Sequence, residues 1–165
     1  AFPGRLFYNN IGSTQRGGIE FFTKFNWKEL KVEGSYNIAK YTFDNFENEI
    51  GVSKLNNLPG IPRRQLFLNF EYFFKYNWTS RLVYEYIGGF YANNSNSVFI
   101  NSFAKTRLQI SKSIDLFECK FEFYGGVNNI LNQNYYDNIR LNAFGSRYFE
   151  PAPTRNFFLG SSIKF

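Results

Sequence analysis

The chain has 165 residues and a formal net charge of +6, and it combines 22 Phe, 12 Tyr and 2 Trp with a mean hydropathy of −0.37. No apolar run approaches the roughly 18 residues of a membrane-spanning helix, which excludes that class but leaves membrane strands, where only alternate residues are apolar. With no His and no Met, neither an imidazole or thioether metal site nor a Ser-His-Asp triad can be built from these residues, and the single Cys119 excludes an internal disulfide.

Residues 1–9 read as an irregular loop entering a strand. From Gly17 to Trp27 the chain alternates, with Ile19, Phe21, Thr23, Phe25 and Trp27 on one face and Glu20, Phe22, Lys24 and Asn26 on the other. A turn at Lys28-Glu29 leads to a strand from Leu30 to Phe43 whose apolar face is Leu30, Val32, Gly34, Tyr36 and Ile38. Asp44 to Pro62 is a long polar loop. The strand from Arg63 to Tyr76 puts Leu66, Leu68, Phe70, Tyr72 and Phe74 on one face, and Asn77-Trp78 is expected to turn the chain. Ser80–Tyr91 follows, then a polar loop at 92–99, then Ile100–Ile114 with Leu108, Ile110 and Ile114 opposite Arg107, Gln109 and Ser111. A turn is expected at Asp115-Leu116, before a strand over Phe117–Asn132. A loop punctuated by Gly and Pro precedes a last strand in which Phe157, Leu159, Ser161, Ile163 and Phe165 share a face.

Two patterns set the class. Short turns alternate with long loops, so one rim is trimmed and the other elaborated, as in outer-membrane barrels. The strands also exceed the mean soluble length of about 5–6 residues, as a tilted membrane crossing requires. The expected fold is all-β: an antiparallel up-and-down transmembrane β-barrel segment of seven or eight strands. Charge placement agrees. A Lys or Arg facing lipid costs about 2–4 kcal/mol at the midplane and almost nothing near an interface. The outward lysines, Lys40 and Lys112, fall at opposite interfaces, Lys40 roughly 25 Å along its tilted strand from the nearer turn.

The last stretch carries a resemblance. G-G-V-N-N-I-L-N-Q-N-Y (125–135), then R-Y-F-E-P-A-P-T-R-N-F-F-L-G (147–160) and a terminal Phe165, resemble the C-terminal end of TonB-dependent outer-membrane receptors. N-I-G-S-T-Q-R-G-G-I-E (10–20) and L-P-G-I-P-R-R-Q-L-F-L (58–68) resemble two upstream strand signatures of the same family. The resemblance implies that residues 1–165 are the C-terminal part of a 22-stranded barrel, with the plug, the TonB-binding segment and earlier strands upstream of Ala1. It implies a transport receptor rather than an enzyme, with a ferric siderophore or another small nutrient chelate as cargo and TonB as energy coupler. The seven confident strands and the missing signal peptide also lead us to expect a mature product or a fragment. The alternative is a self-contained small barrel serving as anchor or adhesin, which requires residues 1–9 to form an eighth strand.

Candidate ligand-binding residues are Arg147 and Tyr148, a cation and a stacking ring in the Pro-fixed loop, and Arg140 nearby. The plainer reading pairs Arg147 with Glu150 at the rim. Gly125-Gly126 reads as a bend followed by a bulge at Asn128-Asn129. The inward Glu20, Lys24, Glu33, Glu71, Lys75, Glu118, Lys120 and Glu122 are expected to pair across strands. Arg63-Arg64 reads as an interface anchor. Gly160, Ile163 and Phe165 resemble the signal read by the barrel assembly machinery, although Phe158 stands where a polar residue is usual. No cofactor and no nucleic-acid partner is expected; the expected surroundings are outer-membrane lipid and lipopolysaccharide, whose phosphates the basic excess suits.

Overall fold

A computed structural model describes residues 12–48, 51–53 and 55–165. In chain order the strands are β1 (Ser13–Trp27), β2 (Leu30–Asn48), β3 (Gly51–Ser53), β4 (Arg64–Phe74), β5 (Trp78–Ile87), β6 (Phe90–Tyr91), β7 (Phe99–Ile100), β8 (Phe103–Leu116), β9 (Cys119–Asn128), β10 (Tyr136–Ile139), β11 (Phe149–Pro151) and β12 (Asn156–Lys164). The long strands pair in the order β1-β2-β4-β5-β8-β9-β12, every neighbour antiparallel, with β3 against the far end of β2. The ribbons β6–β7 and β10–β11 stand apart from this sheet. The fold is therefore the all-β up-and-down meander that the alternation predicts; the loop expected at residues 1–9, and the eighth strand that the alternative reading needs there, lie outside the described residues.

Register aligns the alternation of every strand, so the sheet has two unlike faces. One row runs Phe25↔Val32↔Phe70↔Leu82↔Leu108↔Val127↔Phe157 across all seven long strands. Rows above and below repeat the pattern, and Phe21, Ile19, Trp27, Phe123, Phe157, Leu159 and Ile163 are all exposed. A continuous exposed apolar sheet face is an aggregation hazard in water; in hydrocarbon it costs nothing. The opposite face carries the charges, and three of the eight residues expected to pair across strands form ion pairs: Lys24 Nζ lies 2.7 Å from Glu33, and Arg81 binds Glu71, each pair directly opposite in register, whereas Lys75 and Glu118 fall in turns. Glu20 accepts from Asn37 Nδ2 at 3.1 Å. We call the charged side inward.

At one end the strands join by short turns. Lys28-Glu29 turns as expected, but the other two are displaced, one two residues later and one toward the N-terminus. Asp115 and Leu116 still pair, with Lys120 and Cys119, and the turn is Phe117-Glu118, both residues in the left-handed region at φ 50° and 64°. This register sets Asp115 opposite Lys120 and overrides the turn propensity of Asp. Likewise the β4–β5 turn is a single 3-10 turn at Lys75–Asn77, with Tyr76 and Asn77 left-handed, and Trp78 already belongs to β5. Lys112 sits beside this turn, its ammonium 5.6 Å over the Trp78 ring and bonded to the Tyr76 carbonyl. The outward charge expected at that interface is thus held there.

At the other end the loops build the only packed interior among the described residues. Ala92, Phe43 and Ile100 are buried here, at 0%, 1% and 3% exposure. The loop expected to start at Asp44 instead continues β2 to Asn48 and returns through β3, after which Leu55 N donates to the Phe43 carbonyl and Phe43 N to the Asn56 carbonyl, both at 2.9 Å. β5 stops at Ile87 because Gly88-Gly89 break the ladder, so Phe90-Tyr91 pair with Phe99-Ile100 rather than extend it. Asparagines then tie loop to loop. Asn57 N donates to Asn96 Oδ1 (2.7 Å) and Asn96 Nδ2 to the Asn57 carbonyl (2.8 Å), while Asn94 N donates to Asn142 Oδ1 (2.9 Å) and Asn142 N to the Ala92 carbonyl (2.9 Å).

Candidate functional site

β8, β9 and β12 bring the chemistry of the inward face together beneath the loops. The G-G-V-N-N segment runs through a regular ladder to Asn128, without the expected bulge. Its glycines make room for rings instead. A Cβ on Gly126 would meet the Leu108 carbonyl oxygen at 2.2 Å and the Phe158 ring at 2.6 Å, and one on Gly160 would meet the Tyr124 ring at 2.6 Å, so each of these two strands gives a glycine where the other places a ring. This places aromatic Phe158 on the polar side, where its other partner is the Arg107 guanidinium, 4.5 Å above the ring.

After Asn128 the chain leaves the sheet, ending the strand four residues earlier than the expected Asn132. Asn129 takes a left-handed φ of 52° and is buried, with Oδ1 accepting from Gln133 N (3.0 Å) and Nδ2 donating to the Gln133 and Pro153 carbonyls (2.9 and 3.4 Å). Gln133 Oε1 in turn accepts from Ala104 N at 2.9 Å. The N-N-I-L-N-Q motif is a clip that fixes where the next segment, Asn134–Asp137, hangs over the sheet.

Under that segment lies a cavity of about 550 Å³. β5 supplies Glu85 and Val83, β8 supplies Lys105 and Arg107, and the overhanging segment supplies Tyr135 and Asp137. Lys105 stands opposite Glu85 in register, with Nζ 3.8 Å from Asp137 and 5.2 Å from the centre of the Tyr135 ring. Tyr135 stacks on Phe103 with centroids 5.1 Å apart and planes 8° from parallel. Burial pushes the Tyr135 hydroxyl pKa up, and the carboxylates of Asp137 and Glu85 push the same way, so it stays a neutral hydrogen-bond donor. Arg107 donates to Gln109 Oε1 at 3.1 Å and has no ion pair among the described residues. A second inward cavity of about 650 Å³, spanning β1, β2, β4 and β5, is lined by Glu20 and Glu85 without any cation. Glu85 and Asp137 balance Lys105 and Arg107 in the lining, and Lys105 already meets Asp137, so Arg107 is the cation left for an anionic group, beside the neutral Tyr135 phenol. No group of three or more potential metal-binding side chains occurs among the described residues.

The residues singled out from sequence lie higher, on the β10–β11 ribbon. Arg140 is held by Glu150 through Nε at 2.8 Å and Nη2 at 2.5 Å, with Asn138 Nδ2 on the second carboxylate oxygen at 3.0 Å. The Asn138 hydrogen bond, followed by the Arg140 contact, holds the Glu150 carboxyl below the usual range. Glu150 therefore pairs with Arg140, not with Arg147 as the plainer sequence reading had it, because the ribbon register sets Glu150 opposite Asn138. Arg147 closes the 3-10 turn Phe144–Ser146, exposed and without an ion pair among the described residues, and the Tyr148 ring lies 5.8 Å from Phe149. None of the three lines the cavity. Sequence reasoning missed Lys105 and Tyr135 because their meeting depends on the clip; Arg107 was legible only as an inward residue.

Comparison with known proteins follows the fold. The ferric citrate transporter FecA, unliganded, superposes with a TM-score of 0.77 at 17% identity over 92% of this chain and 24% of its own. BauA, the ferric preacinetobactin receptor of Acinetobacter baumannii, gives 0.76 at 13% identity over 93% and 22%. The ferric-catecholate import receptor Fiu of E. coli gives 0.69 at 19% identity over 91% and 21%. The chain thus spans about a quarter or less of each of these proteins. Residues 1–130 match the family described as TonB dependent receptor-like, β-barrel. The chain belongs to that family, which implies an outer-membrane β-barrel.

Proposed function

We propose that this chain forms part of the wall of an outer-membrane receptor that takes up a small ferric chelate, of the siderophore kind, with energy delivered through TonB. On this reading it is a multi-pass segment of a larger barrel, its apolar face toward lipid and its charged face toward the lumen. The carrying observation is the inward cavity under the Asn134–Asp137 segment, lined by the Tyr135 ring, by Lys105 with Asp137 and Glu85, and by Arg107, which has no ion pair among the described residues. Ferric chelates are commonly anionic and built on planar donor groups, which that mixture of cations and rings suits. Arg147 and Tyr148, on the ribbon above, would meet the ligand on entry. Gly160, Ile163 and Phe165 are the positions we assign to the assembly signal.

The test uses radio-iron uptake by cells carrying the full-length receptor, under iron limitation, with a panel of citrate, catecholate and hydroxamate chelates. At least one chelate is expected to be taken up, and to be lost in a strain lacking TonB. K105Q/R107Q should weaken its binding roughly tenfold to a hundredfold, as expected when two charge-assisted contacts are removed. Uptake of every chelate at the level of cells lacking the receptor would overturn the proposal.

A further inference from the structure

We propose that the inward cavities select a ferric chelate of no net charge or a single negative one, the tris-hydroxamate type, and turn away the triply negative tris-catecholate type, with Glu85 and Asp137 as the selecting residues. The inference rests on the uptake reading above and narrows its cargo. In a tris-hydroxamate each arm loses one proton, and together the arms cancel the charge of ferric iron. Each catechol arm loses two protons, which leaves a triply negative complex.

The inward cavities share walls around one charged cluster. Glu85 borders both the cavity of about 550 Å³ and that of about 650 Å³. A third, of about 310 Å³, shares Lys105 and Asp137 with the former and Gln65 and Ile87 with the latter. Over this joint lining Glu20, Glu85 and Asp137 stand against Lys105 and Arg107, three carboxylates against two cations. Of the two cations, Lys105 is engaged by Asp137 at 3.8 Å and stands opposite Glu85, whereas Arg107 has no ion pair among the described residues. Glu20 accepts from the Asn37 amide at 3.1 Å, a neutral donor that leaves its charge in place.

On the same face Lys24 is met by Glu33 and Arg81 by Glu71, so neither adds a free positive charge next to the lining. One negative group can take Arg107. Two more would face Glu85 and Asp137 with no cation left, and unpaired like charges of this kind reject a competitor without adding any contact to the accepted ligand. The rest of the lining suits an uncharged chelate. Phe22, Phe67 and Tyr135 offer ring faces, and the amides of Gln65, Asn128 and Asn156 offer neutral hydrogen-bonding groups.

The test titrates the purified full-length receptor with two ferric complexes built on the same uncharged cap, one with three hydroxamate arms and one with three catecholate arms. Ferric citrate serves as a third probe, and quenching of Tyr and Trp fluorescence reads binding. The trihydroxamate should bind about tenfold more tightly than the tricatecholate, and added salt should tighten only the tricatecholate, because it screens a repulsion. In E85Q/D137N the ratio of the two dissociation constants should shift about tenfold toward the tricatecholate, and in D137N alone by a smaller factor in the same direction. A tricatecholate bound as tightly as the trihydroxamate by the unsubstituted receptor, or a ratio unmoved in both variants, overturns the charge rule while leaving the uptake reading intact. Binding of ferric citrate alone does the same. Binding of none of the three overturns the uptake reading and the charge rule together.

Discussion

The two ends of this sheet are held by different means. At the short-turn end each hairpin closes alone, and the tips are exposed: Phe117 at 89% and Tyr76 at 82%, both with left-handed backbones. Beyond the sheet ladder the links from one hairpin to the next are single contacts: Phe73 N donates to the Glu29 carbonyl (2.9 Å), Lys31 lies 4.7 Å over the Phe73 ring, and Lys112 meets the Tyr76 carbonyl and the Trp78 ring. At the loop end the connections are long and polar, yet more tightly held. Asn56, Asn57, Asn94, Asn96 and Asn142 join three separate loops, and Ala92 and Phe43 are buried beneath them. Length of connection is thus a poor guide to order; what decides it is whether a loop's backbone groups find partners in another loop.

The sharpest break in that contrast should come from the clip. N129A strands Gln133 N and two carbonyls near a buried position and should cost about 3 kcal/mol, read by urea unfolding of the full protein in detergent. The cavity should loosen with it, seen as faster amide exchange at 134–137. Cutting one stitch with N142A should cost about 1–2 kcal/mol. In a cycle with N94A the two losses should be non-additive, because the side chains bond each other at 3.2 Å. The short-turn end should respond oppositely. F117G removes a bulky residue from the left-handed region and should stabilise the hairpin by about 1 kcal/mol, at the expense of an exposed aromatic anchor. The smallest effect should come from acid. Because the Glu150 carboxyl is held below its ordinary value, its contribution to the ribbon is complete above that value and lost as pH falls through the lowered one. Amide exchange over residues 136–151 should therefore accelerate on acidification, and E150Q should remove the dependence.

Much of the sheet was legible in the sequence, because the period of two survives in every strand and register only aligns what each strand already declares. The row from Phe25 to Phe157 is a direct reading of that alternation. The turns were less legible. Propensity put one at Asp115-Leu116 and missed that Phe117 would accept a left-handed backbone while Asp115 and Leu116 stay in the ladder. The ribbons β6–β7 and β10–β11 were not legible, since two to four residues carry no usable period. The cavity was hidden for a further reason. Lys105 and Tyr135 are thirty positions apart and meet only because Asn129 and Gln133 hold the intervening segment down. The family resemblance, by contrast, was carried by residues whose duty is local: Gly126 and Gly160 each yield space to one ring.

The asparagine stitches also bear on the order in which this region assembles. Each sheet hairpin pairs neighbours in sequence, and such contacts form early because little chain must be brought together. The stitches join residues 38, 39 and 48 positions apart, across strands that must already stand side by side. Their loop-closure entropy is repaid only once β2, β4, β5, β8 and β9 share one register. The stitched loop layer is consequently a late event, and a sheet that slips by even one residue never acquires it.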